Sequence, residues 1–205
     1  MKSFPKVISI FPLSGVIYFP KTNLPLNIFE QRYLNLVNDA FQKDKLIGMI
    51  QSSKINKGIF KVGCLGKIED FQKSEDGRIL INLKGLTRFE VVAEVQNSKL
   101  YREFKVDYSK YSLDVGPNLE KVNSDSLIHK AKIFFEKNGL LLNWQEFDKL
   151  DRIQKINTLA MIAPITNEEK QKLLETVHLS EKAKILENII NFYLHDADFS
   201  NQTLQ

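Results

Sequence analysis

One cysteine, Cys64, stands in 205 residues, so no intrachain disulfide can form, and a reducing compartment suits the chain. The three histidines, His129, His178 and His195, are dispersed through the second half and never take the H-x-x-x-H spacing of a zinc helix. No metal site is expected from them. Apolar runs are short as well: none approaches the ~18 consecutive residues that a membrane span requires. The opening "MKSFPKVISIFPLSG" imitates a signal peptide only faintly, because Pro5 and Pro12 break its apolar stretch and no small-residue cleavage site follows. A cytoplasmic protein without a membrane partner is the expectation.

Charge of one sign is also scarce. The 29 basic and 25 acidic side chains leave a net +4. Residues 1–108 hold 17 basic and 11 acidic groups, and residues 109–205 hold 12 and 14. The positive excess of the first half is scattered singly, with no basic run to mark a nucleic-acid tract. Catalytic signatures are missing too. "GCLGK" (63–67) has two residues between its glycines where a phosphate loop needs four, Ile68 replaces the Ser or Thr, and the surroundings are a strand. Neither a G-x-S-x-G elbow nor a G-x-G-x-x-G fingerprint occurs. No catalytic residue and no cofactor is expected.

What is present is an α+β pattern in two parts. "VISI" (7–10), "VIYF" (16–19) and "LIGMIQ" (46–51) are β-branched and apolar between turn residues. "IFKVGCLGKIEDF" (59–71) reads as a long strand bent at Gly63 and Gly66. Asp76-Gly77 signals a hairpin, Ile79, Ile81 and Leu83 alternate after it, and Gly85 breaks the run before "RFEVVAEV" and "YREFKVDY". Short bent strands of this kind suggest a small, strongly curved sheet or barrel. One helix interrupts them. Asn27 is placed to cap it, Glu30 stands in the capping-box position, and Phe29, Tyr33, Leu36, Val37 and Ala40 form its apolar stripe. Glu30 and Arg32, two apart, should not face each other on such a helix.

Beyond "SKYSLDVGPNLEKVN" (109–123), which lacks any period, the pattern turns helical. Leu127 to Phe135 form one face, closed by Gly139, and Phe147 to Ala160 form the next, stopped by Pro164. Thr166-x-x-Glu169 is a capping box for the third, and Ser180 is placed to cap the fourth. The expected organisation is a β-rich subdomain over 1–112, a linker over 113–123, a four-helix subdomain over 124–196 and a frayed tail over 197–205.

The stretch "IFPLSGVIYFPKTNLPLNIFEQRYLNLVNDAF" resembles the N-terminal substrate-binding domain of the Lon protease family, whose pattern runs approximately F-P-L, F-P and then L-P-L-h-I-F-E-p-R-Y. The resemblance continues through "VGCLGKIEDF", "EDGRILINLKGLTRFEV" and "EKQKLLETVHLSEKAKIL", from about Val7 to Tyr193. Asn27 and Gln31 depart from it, standing where many relatives have His and Pro.

The resemblance implies a PUA-like β pseudo-barrel followed by a helical subdomain, and a role in binding polypeptide. It implies neither the ATPase nor the Ser–Lys peptidase that follow this region in full-length Lon, so a stand-alone, non-catalytic module is expected. Its motif residues Glu30, Arg32, Tyr33, Gly77, Gly85, Arg88 and Phe89 are expected to be structural. The partners expected are unfolded or partly folded polypeptide segments, or a specific protein, with RNA as the alternative because PUA-like barrels elsewhere bind it. The surface expected to bind polypeptide joins Phe19, Pro20, Leu24 and Pro25 with Phe71.

Overall fold

A computed structural model describes residues 4–53, 58–116, 120 and 122–202. The chain divides into two compact units, 1–118 and 119–205. The first contains β1 (Val7–Leu13), β2 (Asn23–Ile28), α1 (Gln31–Phe41), β3 (Leu46–Ser53), β4 (Gly58–Lys73), β5 (Ile79–Val95) and β6 (Arg102–Asp107). Neighbours in the sheet run β2-β5-β4-β3-β1-β6, and β6 returns to pair with β5. Strands β5, β4, β3, β1 and β6 therefore close into a ring, with β2 flanking it on β5. Among the described residues only the β1–β3 pair is parallel, with Ile10 opposite Gly48.

Closure depends on β5. Its first part, Ile79–Lys84, lies between β2 and β4, and its last part, Glu90–Val95, pairs with β6. Register shifts at Leu65/Gly66, Ile68/Asp70 and Val91/Ala93 supply the bends a small closed sheet needs. Ile8, Ile10, Ile50, Leu65, Phe89, Phe104 and Val106 fill one buried cluster. These residues are contributed by all five ring strands, because alternate side chains of each strand point inward.

Gly85 does not break the run of strand as the sequence suggested. It lies inside a continuous β5, where a Cβ would come within 2.3 Å of the Phe19 carbonyl oxygen. The residue is small because another stretch of backbone crosses it. Lys21 N–H donates to the Gly85 carbonyl and Gly85 N–H to that of Thr22, each at 2.9 Å. The crossing segment is "VIYF", which is irregular instead of a strand and buries Ile17, Tyr18 and Phe19. At the β4–β5 hairpin, Gly77 does adopt a left-handed φ of +85°. Bonds from Gly77 N–H to the Ser74 carbonyl and from Ser74 N–H to the Arg78 carbonyl close that turn.

Helix α1 begins later than the sequence suggested. Asn27 belongs to β2, and the capping position is taken by Glu30 in extended backbone. Its carboxylate makes no cap bond, because Arg32 holds it at 2.7 Å. That contact corrects the expectation that residues two apart cannot meet: Glu30 precedes the helix and is free of its periodicity. Tyr33, Leu36, Val37 and Ala40 are buried as expected, whereas Phe29 falls outside the stripe.

Residues Ser109–Asp114, read as the start of an aperiodic stretch, form a 3-10 helix. The Arg88 backbone N–H and Nε each donate to Asp114 Oδ2 at 2.9 Å, and an Arg88 Nη reaches Oδ1 at 2.7 Å. The guanidinium also lies 4.3 Å from the Tyr111 ring centroid. Burying this pair is tolerable because both oxygens of Asp114 and several donors of Arg88 are used.

The second unit contains α2 (Asp125–Lys137), α3 (Trp144–Asp148), α4 (Arg152–Ile162), α5 (Asn167–Glu175) and α6 (Leu179–Gln202). The helix expected over Phe147–Ala160 is two helices, because Asp151 starts a new one with a reciprocal capping box to Gln154. Thr166 and Glu169 form the expected box on α5, and Gly139 follows α2 with φ +64°. Ser180 lies inside α6 and not at its cap. Its amide bonds the Glu120 carboxylate at 3.0 Å. Helix α6 runs to Gln202, with no Pro or Gly to interrupt its backbone ladder. Residues 203–205 of the expected tail, and 117–119 and 121 of the expected linker, lie outside the described residues.

Candidate functional site

The residues expected to bind polypeptide do not form one surface. Phe19 is fully buried and Pro20 is buried beside it, both lying against Gly85. A sequence rich in Pro at a strand border looks like an exposed loop, but here that loop is a packing element of the unit. Leu24 is half-buried and pairs with Leu83, so it faces inward with the alternating residues of β5. Pro25, opposite Asn82, is exposed on the other face. Phe71 is half-buried because its ring stacks on Phe41 of α1, with centroids 4.3 Å apart.

Two depressions in the first unit hold the more informative residues. The smaller, about 480 Å3, brings Phe11, Pro12 and Leu13 against Glu30, Arg32 and Tyr33, with Tyr101 and Arg102 beside them. Motif segments nearly twenty residues apart thus converge. The Phe11 and Tyr33 ring centroids are 4.0 Å apart, and the Arg32 guanidinium lies 4.5 Å from the Tyr33 centroid. Arg102 is held by Glu94 at 2.7 Å, and Tyr101 donates to Asp39 at 2.6 Å. Burial raises the Tyr33 hydroxyl above its ordinary pKa, although Arg32 pulls the other way. Among the described residues every charge here has a partner, and no nucleophile stands beside a base. The motif residues Glu30, Arg32 and Tyr33 thus contact one another, and Tyr33 meets Phe11.

The larger depression, about 740 Å3, is an open groove. Phe29, Gln31, Leu34 and Asn38 line one side, and Lys73, Asp76, Gly77, Arg78 and Ile79 line the other. Phe29 is 67 % exposed, a large ring for a protein to leave in water. With Glu30 at the cap, Phe29 and Leu34 stand at the N′ and N4 positions, so both lie at the start of α1. Leu34, Asn38 and Phe41 then follow on one helical face, which leads from the groove to the Phe41–Phe71 stack. At the rim Arg78 bonds Asp76 at 2.6 Å and holds its carboxyl below the usual range. This arrangement can seat an apolar side chain between polar edges. It offers no acid–base pair. Phe29 was missed in the sequence because the helix start was placed three residues early, which drew Phe29 into the buried stripe.

Among the described residues no group of His, Cys, Asp and Glu could hold a metal ion, and no helix is long and apolar enough to cross a membrane.

Comparison with known proteins gives a consistent result. The family of the ATP-dependent protease La (LON) substrate-binding domain matches residues 7–191. Lon protease of Syntrophus aciditrophicus is 27% identical over 206 residues, covering 93% of this chain and 25% of that protein. Lon protease 2 of Myxococcus xanthus is also 27% identical, over 203 residues, with 93% and 24% covered. This chain thus spans about a quarter of the length of these relatives. Among solved structures, a Lon N-terminal domain protein from Xanthomonas campestris superposes with a TM-score of 0.65 at 19% identity, covering 88% of this chain and 96% of that one. The N-terminal domain of the Mycobacterium avium complex Lon protease gives 0.65 at 16%, with 91% and 98% covered. At these identities the two superpositions speak for the fold.

Proposed function

The chain belongs to the LON substrate-binding domain family, and from that premise we propose that it is a non-catalytic module that binds unfolded or partly folded polypeptide, serving as an adaptor in protein quality control. The observation that carries this reading is the groove between α1 and the β4–β5 hairpin, with Phe29 standing exposed at its edge. A flexible segment would place an apolar side chain against Phe29 and Leu34, and polar rim groups would meet its backbone. The family match falls on a substrate-binding domain, which supports a binding role.

Charge supports polypeptide over RNA. All four arginines of the first unit, Arg32, Arg78, Arg88 and Arg102, are ion-paired to carboxylates. An RNA-binding face needs such groups for phosphates.

The test is fluorescence anisotropy of a labelled, permanently unfolded polypeptide titrated with the protein at low and high salt. Saturable binding that survives high salt and weakens in Phe29→Asp is the expected result. Absence of binding, or binding lost with salt, overturns the reading and returns RNA or a specific folded partner to the front.

A further inference from the structure

The helical unit carries a feature that polypeptide binding does not use. Its helix starts are mostly closed by side chains. Asn143 accepts the Glu146 amide on α3, Asp151 and Thr166 form reciprocal boxes on α4 and α5, and Glu120 takes the Ser180 amide on α6. Helix α2 differs. Ser124 occupies its capping position with φ −115° and ψ 8°, a geometry from which its hydroxyl makes no cap bond. Asn123 accepts the Asp125 amide at 3.0 Å, and the Ile128 amide bonds the Ser124 carbonyl. Among the described residues, the Ser126 and Leu127 amides between them have no acceptor.

Ser124 is only 8 % exposed, and among the described residues its hydroxyl has no hydrogen-bond partner. It lines an open cleft of about 750 Å3 together with Asp125, Arg152 and Lys155. Neither basic residue has a carboxylate partner among the described residues. The Arg152 guanidinium makes one long bond, 3.5 Å, to the Glu120 carbonyl, and the Lys155 ammonium lies 6.0 Å from the Phe147 ring centroid.

The geometry points to a binding site for a phosphate group, carried by inorganic phosphate or by a phosphomonoester. Two unpaired cations, the positive end of a 13-residue helix, two amides and a hydroxyl all address one cleft. A tetrahedral group with three free oxygens can engage the amides, the hydroxyl, the Arg152 fork and the Lys155 ammonium together, whereas a carboxylate has only two. Asp125 opposes the anion. Its carboxylate is tolerated because the cations outnumber it and because it accepts from a protonated phosphate oxygen. This site is independent of the groove in the first unit.

The test is amide-resolved NMR titration of the full chain with inorganic phosphate, with ionic strength held by chloride, and parallel titrations with phosphoserine and acetate. Saturating shifts at the Ser126 and Leu127 amides are expected, with acetate far weaker. Whichever of phosphate and phosphoserine binds tighter identifies the source of the group. Arg152→Gln and Lys155→Gln should each weaken phosphate by about tenfold, and Asp125→Asn should tighten it. Ser124→Ala should weaken phosphate while leaving the melting temperature unchanged, because the hydroxyl has no protein partner to lose. Shifts that never saturate, acetate as effective as phosphate, or affinity indifferent to Arg152→Gln and Lys155→Gln would overturn the proposal. So would a Ser124→Ala variant that loses stability but keeps its affinity. The two conservative variants, Ser124→Ala and Asp125→Asn, keep the test decisive should a basic variant fail to fold.

Discussion

The barrel unit and the helical unit hold themselves together in opposite ways. In the barrel, neighbours in space are distant in sequence: β1 touches β3 and β6, and Arg88 reaches Asp114. In the helical unit most stabilising devices are local, such as the Thr166–Glu169 and Asp151–Gln154 boxes within single turns. The contrast teaches where damage should concentrate. A fault in the barrel removes a contact on which several strands depend, and a fault at a helix cap removes one turn's worth of bonding. Trp144 is the only tryptophan and lies in the helical unit, so its fluorescence reports that unit, while far-ultraviolet circular dichroism reports both.

The largest effect should come from Arg88→Met, which leaves Asp114 buried without its cation and costs about 3–5 kcal/mol. Chemical denaturation should show the barrel unfolding early while the Trp144 transition moves little; equal movement of both would mean that the units do not respond separately. Gly85→Ala should cost about 3 kcal/mol, because the new methyl group meets the Phe19 carbonyl backbone and not a side chain that could turn away. An unchanged melting temperature would show that the Phe19–Pro20 crossing yields easily. In the helical unit, Thr166→Ala should cost about 1 kcal/mol by opening the α5 cap, read as a small shift of the Trp144 transition.

The smallest effect concerns pH. Lys130 first, and Ser126 second, hold the Glu187 carboxyl below its ordinary range by hydrogen bonding. A carboxylate depressed in the folded state stabilises above its unfolded pKa, and that contribution is lost as pH falls through the folded value. For this partly exposed pair between α2 and α6 the contribution is about 0.5 kcal/mol. Glu187→Gln should flatten the acid limb of stability measured by Trp144 fluorescence and change little at neutral pH.

The same contrast explains how much the sequence revealed. Helix caps are written in adjacent residues, so Thr166-x-x-Glu169 and the Gly139 terminator were legible, as was the turn at Asp76-Gly77. Periodicity located Tyr33, Leu36, Val37 and Ala40 on the buried face of α1. Contacts made across the fold left no local trace. Nothing in "VIYFP" says that its backbone will lie on Gly85, so an apolar segment there was read first as a strand and then, in part, as a binding loop. The groove was illegible for a smaller reason. Three residues separated Asn27 from the true cap at Glu30, and that slip moved Phe29 from the surface to the core.

A closed ring also has no border. Each of its five strands finds a partner on both sides, which leaves the outer side of β2 as the border of the sheet among the described residues. Borders of that kind recruit foreign strands and seed aggregates. Pro25 sits in the middle of β2 and can donate no backbone hydrogen bond, so a passing chain cannot zip along the full length of this border. Pro25, which the sequence placed in a surface for polypeptide, thereby also limits indiscriminate sheet extension.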